Sequence, residues 1–155
     1  MTKKKAERNK LINEGHYFYI VLTNGSFDLL HIGHINLLKR AKQLGDYLIV
    51  GLSIDSLIKA HKGYLPVLTY KQRKLALKAI RYVDKVVPQT KLIDIKQFKK
   101  LGADLFVIGD DWKNRTDVEG LNWLKQNKKV KFIPYTKELS TTKIKNKILK
   151  EWKLA

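Results

Sequence analysis

The run Tyr17-Phe18-Tyr19-Ile20-Val21-Leu22-Thr23 passes directly into Asn24-Gly25-Ser26-Phe27-Asp28-Leu29-Leu30-His31-Ile32-Gly33-His34, and this junction decides the fold. A strand-length apolar run that is continuous rather than alternating belongs to a strand covered on both faces, as in a parallel sheet. Similar runs recur at Tyr47 to Ser53, Leu105 to Gly109 and Val130 to Pro134, with a weaker one at Lys85 to Pro88. Between them lie residues at helical spacing: Ile35, Leu38 and Ala41 to Leu44, then Leu75, Ala76, Ala79 and Ile80, then Ile95, Phe98 and Leu101. Strand and helix alternate. Right-handed crossovers then give one α/β domain, a doubly wound parallel sheet with helices on both faces and a ligand crevice at the carboxyl ends of its strands. Thr141 to Lys153 carries Ile144, Ile148 and Trp152 on one stripe and closes the domain as a helix capped by Ser140 or Thr141.

The chain has 155 residues, enough for one core-bearing domain at roughly 100–200 residues per domain. We divide it into a basic N-terminal tail, residues 1–15, and a domain over 16–155. Apolar residues make up 44% and charged residues 30%, too apolar for a disordered chain. The longest apolar runs are about a third of the ~20 residues that cross a bilayer, so no membrane span is expected. Met1-Thr2-Lys3-Lys4-Lys5 is basic, but Ala6-Glu7-Arg8-Asn9-Lys10 follows in place of an apolar secretory core. The absence of cysteine excludes disulfides, thiolate metal sites and cysteine nucleophiles, and the cytoplasm is the expected compartment. The net charge of +18 favours anionic ligands, and the two ends, residues 1–10 and 125–155, hold two-thirds of the excess. Scarce arginine and no aromatic-basic repeat argue against nucleic acid as the partner.

Between the first strand and the first helix, the glycine-containing loop aims backbone N–H groups and a helix N-terminus at an anion. His31 and His34 are three apart, so on a helix they share a face and both can donate to phosphate. Gly33 leaves room for close approach to the backbone. Two other readings stand at this point: packing or capping by the histidines, and a metal site, which lacks evident further ligands.

This segment resembles the H-x-G-H motif of the nucleotidylyltransferase superfamily, and the chain resembles its cytidylyltransferase family, in particular the glycerol-3-phosphate cytidylyltransferases. The likeness runs from about Tyr19 to Lys147. It rests on Gly25 to His31, Arg40 to Tyr47, Ile80 to Asp84, Gly109-Asp110-Asp111-Trp112 and Leu139-Ser140-Thr141-Thr142-Lys143-Ile144, in order on an α/β pattern. The resemblance implies a Rossmann-like fold and transfer of CMP from CTP to a phosphoalcohol, foremost glycerol 3-phosphate. Pyrophosphate would leave by direct in-line attack, and the product would serve cell-envelope polymers such as teichoic acid. Mg2+ would arrive as the CTP complex, with no dedicated protein metal site, and relatives are commonly dimers. Another phosphoalcohol, adenylyl transfer of the FAD synthase-like or heptose-phosphate type, and a nucleic-acid-binding module are the competing readings.

Carried over residue by residue, the resemblance makes His31, His34, Lys62 and Arg81 catalytic. Ser26, Phe27, Gly33, Asp111, Trp112, Thr136, Ser140, Thr141 and Thr142 join the histidines around the nucleotide, while Lys62, Arg73 and Lys96 meet the acceptor. Plainer readings remain: a solvated Lys62, an Arg81 ion pair, carboxylates that cap the turn at Asp110 and Asp111, and a simple N-cap at Ser140. Tyr64 takes the place of a family lysine. Tyr135-Thr136-Lys137-Glu138-Leu139 departs from the family's Arg-Thr-Glu-Gly-Ile, and Asn114 to Gly120 lengthens the loop after Trp112.

Overall fold

In the computed structural model, which describes residues 6, 10 and 13–152, strand β1 (Ile20–Gly25) lies at the centre of a five-stranded sheet. The others are β2 (Tyr47–Ser53), β3 (Lys85–Gln89), β4 (Leu105–Gly109) and β5 (Val130–Ile133). All pairings are parallel, in the order β3-β2-β1-β4-β5. The helices are α1 (Ile32–Lys42), α2 (Asp55–Lys62), α3 (Tyr70–Lys78), α4 (Ile95–Lys100), α5 (Glu119–Gln126) and α6 (Thr141–Glu151). This is the doubly wound sheet that the apolar runs predict.

The continuous runs arise because alternate residues feed two cores. Val21, Leu48, Val50 and Val107 pack with Leu38 and Ala41 of α1 and Leu77 of α3. Ile20, Leu22, Ile49 and Phe106 pack on the other side with Phe98 of α4 and Leu124 of α5. Both faces of the sheet are therefore apolar at strand period two.

Three boundaries differ from expectation. β1 starts at Ile20, not Tyr17, because carboxylates take the backbone N–H groups at its entry: Tyr19 N–H donates to Asp46 at 2.8 Å and Ile20 N–H to Asp104 at 2.8 Å. The short helix α2 has no strong sequence signal, since Ile58 is its buried residue and no side chain caps its start. The loop expected through Gly120 is cut short by α5, which begins at Glu119 and buries Leu121 and Leu124. The tail expected over residues 1–15 lies mostly outside the described residues, as does Lys153.

Candidate active site

From β1 the chain runs to β2 on one side, and β4 pairs on the other, so the sheet's switch point opens at the carboxyl end of β1. The loop that leaves there is fixed in an unfavourable shape. Phe27 and Leu29 take left-handed backbone with φ of 45° and 50°, a cost of about 1–3 kcal/mol each for residues with a Cβ. Contacts from three elements hold it. Buried Asp28 accepts the N–H groups of Val67 and Leu68 at 2.8 and 3.0 Å. Arg73 donates to the Ser26 carbonyl at 2.6 Å, and the Thr141 hydroxyl donates to the Asp28 carbonyl at 2.9 Å.

His31 is the N-cap of α1 and His34 its third residue. The Gly33 N–H donates to His31 Nδ1 at 3.1 Å, and the His31 N–H donates to His34 Nδ1 at 3.3 Å. Capping and ligand binding are thus compatible: with each Nδ1 accepting, the hydrogen-bond pattern assigns the ring proton to Nε2. The rings stack with centroids 3.8 Å apart, and Phe27 lies 5.3 Å from His34. A Cβ at Gly33 would stand 2.9 Å from the His31 ring, so the room this glycine provides is taken by the imidazole. Burial lowers the His31 pKa; burial, with neighbouring His31 and Lys62, pushes His34 down to about 3. Both rings are neutral near pH 7 and offer N–H donors rather than charge.

Around them lies a cleft of roughly 430 Å³. The loop after β1 gives it Ser26, Phe27, Gly33 and both histidines, and α2 gives Lys62, whose Nζ is 3.3 Å from Ser26 Oγ. Lys62 ends α2, and Gly63, at φ 77°, turns the chain away. The turn Asp110–Trp112 after β4 contributes Asp111 and Trp112. Burial raises the Asp111 pKa, and the Arg115 guanidinium stacks 4.3 Å over the Trp112 ring. Beyond β5 come Thr136, Ser140, Thr141 and Thr142. Ser140 caps α6 through the Lys143 N–H at 3.1 Å, and the first helical N–H groups, of Thr141 and Thr142, have no partner within the helix. The cleft therefore sets two Nε2–H donors, a lysine and a helix N-terminus around one space, a phosphate-binding arrangement.

The Cytidylyltransferase-like family matches residues 22–147, most of the chain. The chain belongs to the cytidylyltransferase-like family. It is 48% identical over 131 residues to the glycerol-3-phosphate cytidylyltransferase of Bacillus subtilis, covering 83% of this chain and 95% of that one. Identity to the Staphylococcus aureus enzyme of the same name is 44% over 134 residues, 83% of this chain and 93% of that one. Among solved structures, the lipopolysaccharide core biosynthesis protein of Thermoplasma volcanium matches with a TM-score of 0.63 at 27% identity, over 79% of this chain and 100% of that one.

Within this family member, three predicted site residues lie outside the cleft lining. Arg73 is fully buried and donates to the carbonyls of Leu68, Ser26 and Ser53 and to Asp55 at 2.5 Å; in this arrangement its guanidinium holds the loop from behind and does not line the cleft. Arg81 is exposed and stacks 5.0 Å from the ring centroid of Tyr82, to whose hydroxyl it donates at 2.9 Å; the neighbouring aromatic, not a carboxylate, is its partner. Lys96 stands in the first turn of α4, its N–H donated to Asp94 and its side chain exposed.

The sequence reading gives no role to a polar floor that the structure brings together. Ser53 donates to Gln89 at 2.6 Å, and Gln89 and Asn24 both donate to the Leu92 carbonyl, at 2.6 and 3.3 Å. Asn24 fits because Gly51 is bare: a Cβ there would lie 2.1 Å from Asn24 Oδ1. Three separate strand ends meet here, and no spacing in the chain announces it. Asp28 had a signal, a carboxylate between Phe27 and Leu29 in the motif itself.

Proposed function

We propose that this chain transfers CMP from CTP to glycerol 3-phosphate, releasing pyrophosphate and forming CDP-glycerol. The observation that carries this reading is the pair of neutral histidines, each presenting Nε2–H, in one cleft with the N-terminus of α6. Family membership supports CTP as donor, and the names of the Bacillus and Staphylococcus relatives support the acceptor.

A phosphate oxygen of the acceptor forms a bond to the α-phosphorus as the bond from that phosphorus to the β-bridging oxygen breaks, and pyrophosphate carries off the electron pair. The nucleophile is already an anion, so the protein needs to position groups and disperse charge more than to remove a proton. His31 and His34 donate to oxygens on the reacting phosphorus, where charge builds. The Thr141 and Thr142 N–H groups hold the departing pyrophosphate, and Trp112 and Asp111 border the nucleoside. Lys62 meets the acceptor phosphate. Binding a polyphosphate favours the protonated form of each histidine, so their pKa values rise in the complex.

The lining fits a divalent ion carried on phosphate better than one caged by protein. Asp111 is its one carboxylate among the described residues, and the other polar groups are largely phosphate donors. Mg2+ bound to CTP would supply charge neutralisation, with Asp111 the carboxylate available to it. Two further readings accompany the activity. Exposed Leu65, Val67 and Leu75, on α3 and the segment leading into it, support a homodimer. Among the described residues no helix is long and apolar enough to cross a membrane, and dependence on CTP supports a cytoplasmic setting.

The test is pyrophosphate release with Mg2+, crossing CTP and ATP with glycerol 3-phosphate, glycerol 2-phosphate, ribitol 5-phosphate, phosphoethanolamine, phosphocholine and FMN. We expect turnover with CTP and glycerol 3-phosphate. Turnover only with ATP would replace the donor, and silence across the panel would remove the proposed activity.

A further inference from the structure

The segment that lengthens the loop after Trp112 has no part in the chemistry described so far, yet it is tied down along its length. The Arg115 N–H donates to the Trp112 carbonyl at 3.1 Å, a turn that brings residue 115 back over residue 112. From α5, Lys125 Nζ donates to the Arg115 carbonyl at 2.8 Å and the Asn122 amide to the Thr116 carbonyl at 2.7 Å. The segment is thus fixed to a helix whose Leu121 and Leu124 are fully buried.

At its centre the Arg115 guanidinium is oriented from two sides. Asp117 accepts from Nε at 3.0 Å and from one Nη at 2.6 Å, a two-bond fork, and the Trp112 ring centroid lies 4.3 Å from Cζ. Trp112 lines the cleft and Arg115 does not, so the guanidinium covers the indole from outside the ligand space. The fork contributes little to stability: the Arg115 and Asp117 side chains are 39% and 64% exposed, and exposed ion pairs are worth little. What a planar guanidinium does well is hold an aromatic face by stacking and cation–π attraction. An indole left loose would sample several rotamers, and losing that freedom on binding weakens a complex. With Arg115 over it, the ring is set before a ligand arrives. The charge also reaches the neighbouring carboxylate, since burial raises the Asp111 pKa and Arg115 is among the groups that oppose the rise.

We propose that Arg115 is a positioning residue for the nucleotide, fixing the Trp112 ring from outside the cleft in the orientation that borders the nucleoside, with Asp117 aiming the guanidinium. The inference rests on the cytidylyl-transfer reading only for the identity of that nucleotide as CTP.

Three readouts on the full chain test it. In steady-state kinetics, Arg115→Ala raises KM for CTP about three- to fivefold, the value of one exposed cation–π contact, while kcat and KM for glycerol 3-phosphate stay nearly constant and Tm falls by no more than about 3 °C. Arg115→Lys, which keeps the cation but loses the planar fork, restores part of the loss. In a Trp112→Leu background the same Arg115→Ala change has no further effect on KM for CTP, because the ring it acts through is gone. Acrylamide quenching of tryptophan fluorescence without nucleotide needs no turnover: the difference from the matched Trp112→Phe protein isolates this indole, which becomes more accessible in Arg115→Ala. An unchanged KM for CTP or unchanged quenching overturns the proposal. So does an undiminished effect in the Trp112→Leu background, since Arg115 would then act on the nucleotide directly. If ATP proves to be the donor, the same rise in KM for ATP upholds the role of Arg115. If wild-type protein turns over no nucleotide, the proposed activity fails, and the quenching difference alone upholds or overturns the hold of Arg115 on the ring.

Discussion

Two loops face each other across the cleft, and they are built in opposite ways. The loop after β1, residues 26–31, holds two left-handed residues in place with Asp28, Arg73 and Thr141, and the Nδ1 atoms of His31 and His34 serve as internal acceptors. The segment after β5, residues 134–140, leaves Tyr135 about half exposed and is tied by the Tyr135 N–H to Asp110 at 3.0 Å and by Lys143 Nζ to the Lys137 carbonyl at 2.5 Å. Both lead into the N-terminus of a helix and both line the same space. The difference separates two tasks. Donors that must meet charge as it develops need a frame that does not reorganise, whereas a wall that receives the nucleotide can be lightly tethered and adjust.

Breaking the rigid loop at its chemical end should have the largest effect. His34→Ala removes the donor that the proposed mechanism sets against the reacting phosphate and should lower kcat by about a hundred- to a thousandfold, the usual cost of losing one preorganised donor. Far-UV circular dichroism should stay as in wild type. Near-normal turnover would show that the histidine only caps α1.

The same loop can be broken from behind. Arg73→Ala orphans the buried Ser53 carbonyl, the part-buried carbonyls of Ser26 and Leu68, and Asp55, each worth on the order of 1 kcal/mol, so the loss should reach about 3 kcal/mol. In a domain of this size that is roughly a 10 °C fall in Tm. Arg73→Lys should rescue little, since one ammonium cannot serve four acceptors in that fork. A raised KM for glycerol 3-phosphate with an unchanged Tm would return Arg73 to the substrate.

That contrast also marks what the chain discloses before folding. β2 and β4 match their apolar runs residue for residue, because a strand buried on both faces writes its environment into consecutive positions. The histidine loop and the Ser-Thr-Thr segment are legible because strand, turn and cap are local. Arg73 is not, since its partners at Ser26, Ser53, Asp55 and Leu68 gather from up to 47 positions away, and no local pattern says whether a cation meets a carbonyl or a ligand. The Thr141 bond to Asp28, across 113 positions, is equally silent. Helix α2 escaped because one buried residue, Ile58, makes no stripe.

The burial that keeps the histidines neutral carries a pH signature. His34 has a folded pKa near 3, below the ordinary value of 6.5. Below pH 6.5 the unfolded chain therefore takes up a proton that the native state refuses. Stability contributed by this group is complete above pH 6.5 and declines toward pH 3, by up to about 1.4 kcal/mol per pH unit. Urea melts at pH 7, 6 and 5 should show this slope, and His34→Asn should flatten it by about one proton. Equal slopes in the two proteins would mean that the native ring is charged, and the donor-only role would go with it.

The smallest effect belongs to the lightly tethered wall. Tyr135 lines the cleft at the position where the resemblance read from the sequence expects arginine, yet the segment is held there through its backbone N–H rather than its ring. Tyr135→Arg should therefore leave the tether intact and place a guanidinium at the rim. A rim charge is screened and contributes up to about 1 kcal/mol, so KM for CTP should fall by no more than about fivefold at low salt, with the gain fading as salt rises. kcat should hardly move, because the proposed transition-state donors, His31 and His34, sit on the opposite side of the cleft. A large change in kcat would instead show that the two walls are coupled through Asp110 and the turn that carries Asp111 and Trp112, and the division between a rigid chemical loop and an adaptable nucleotide wall would fail at that joint.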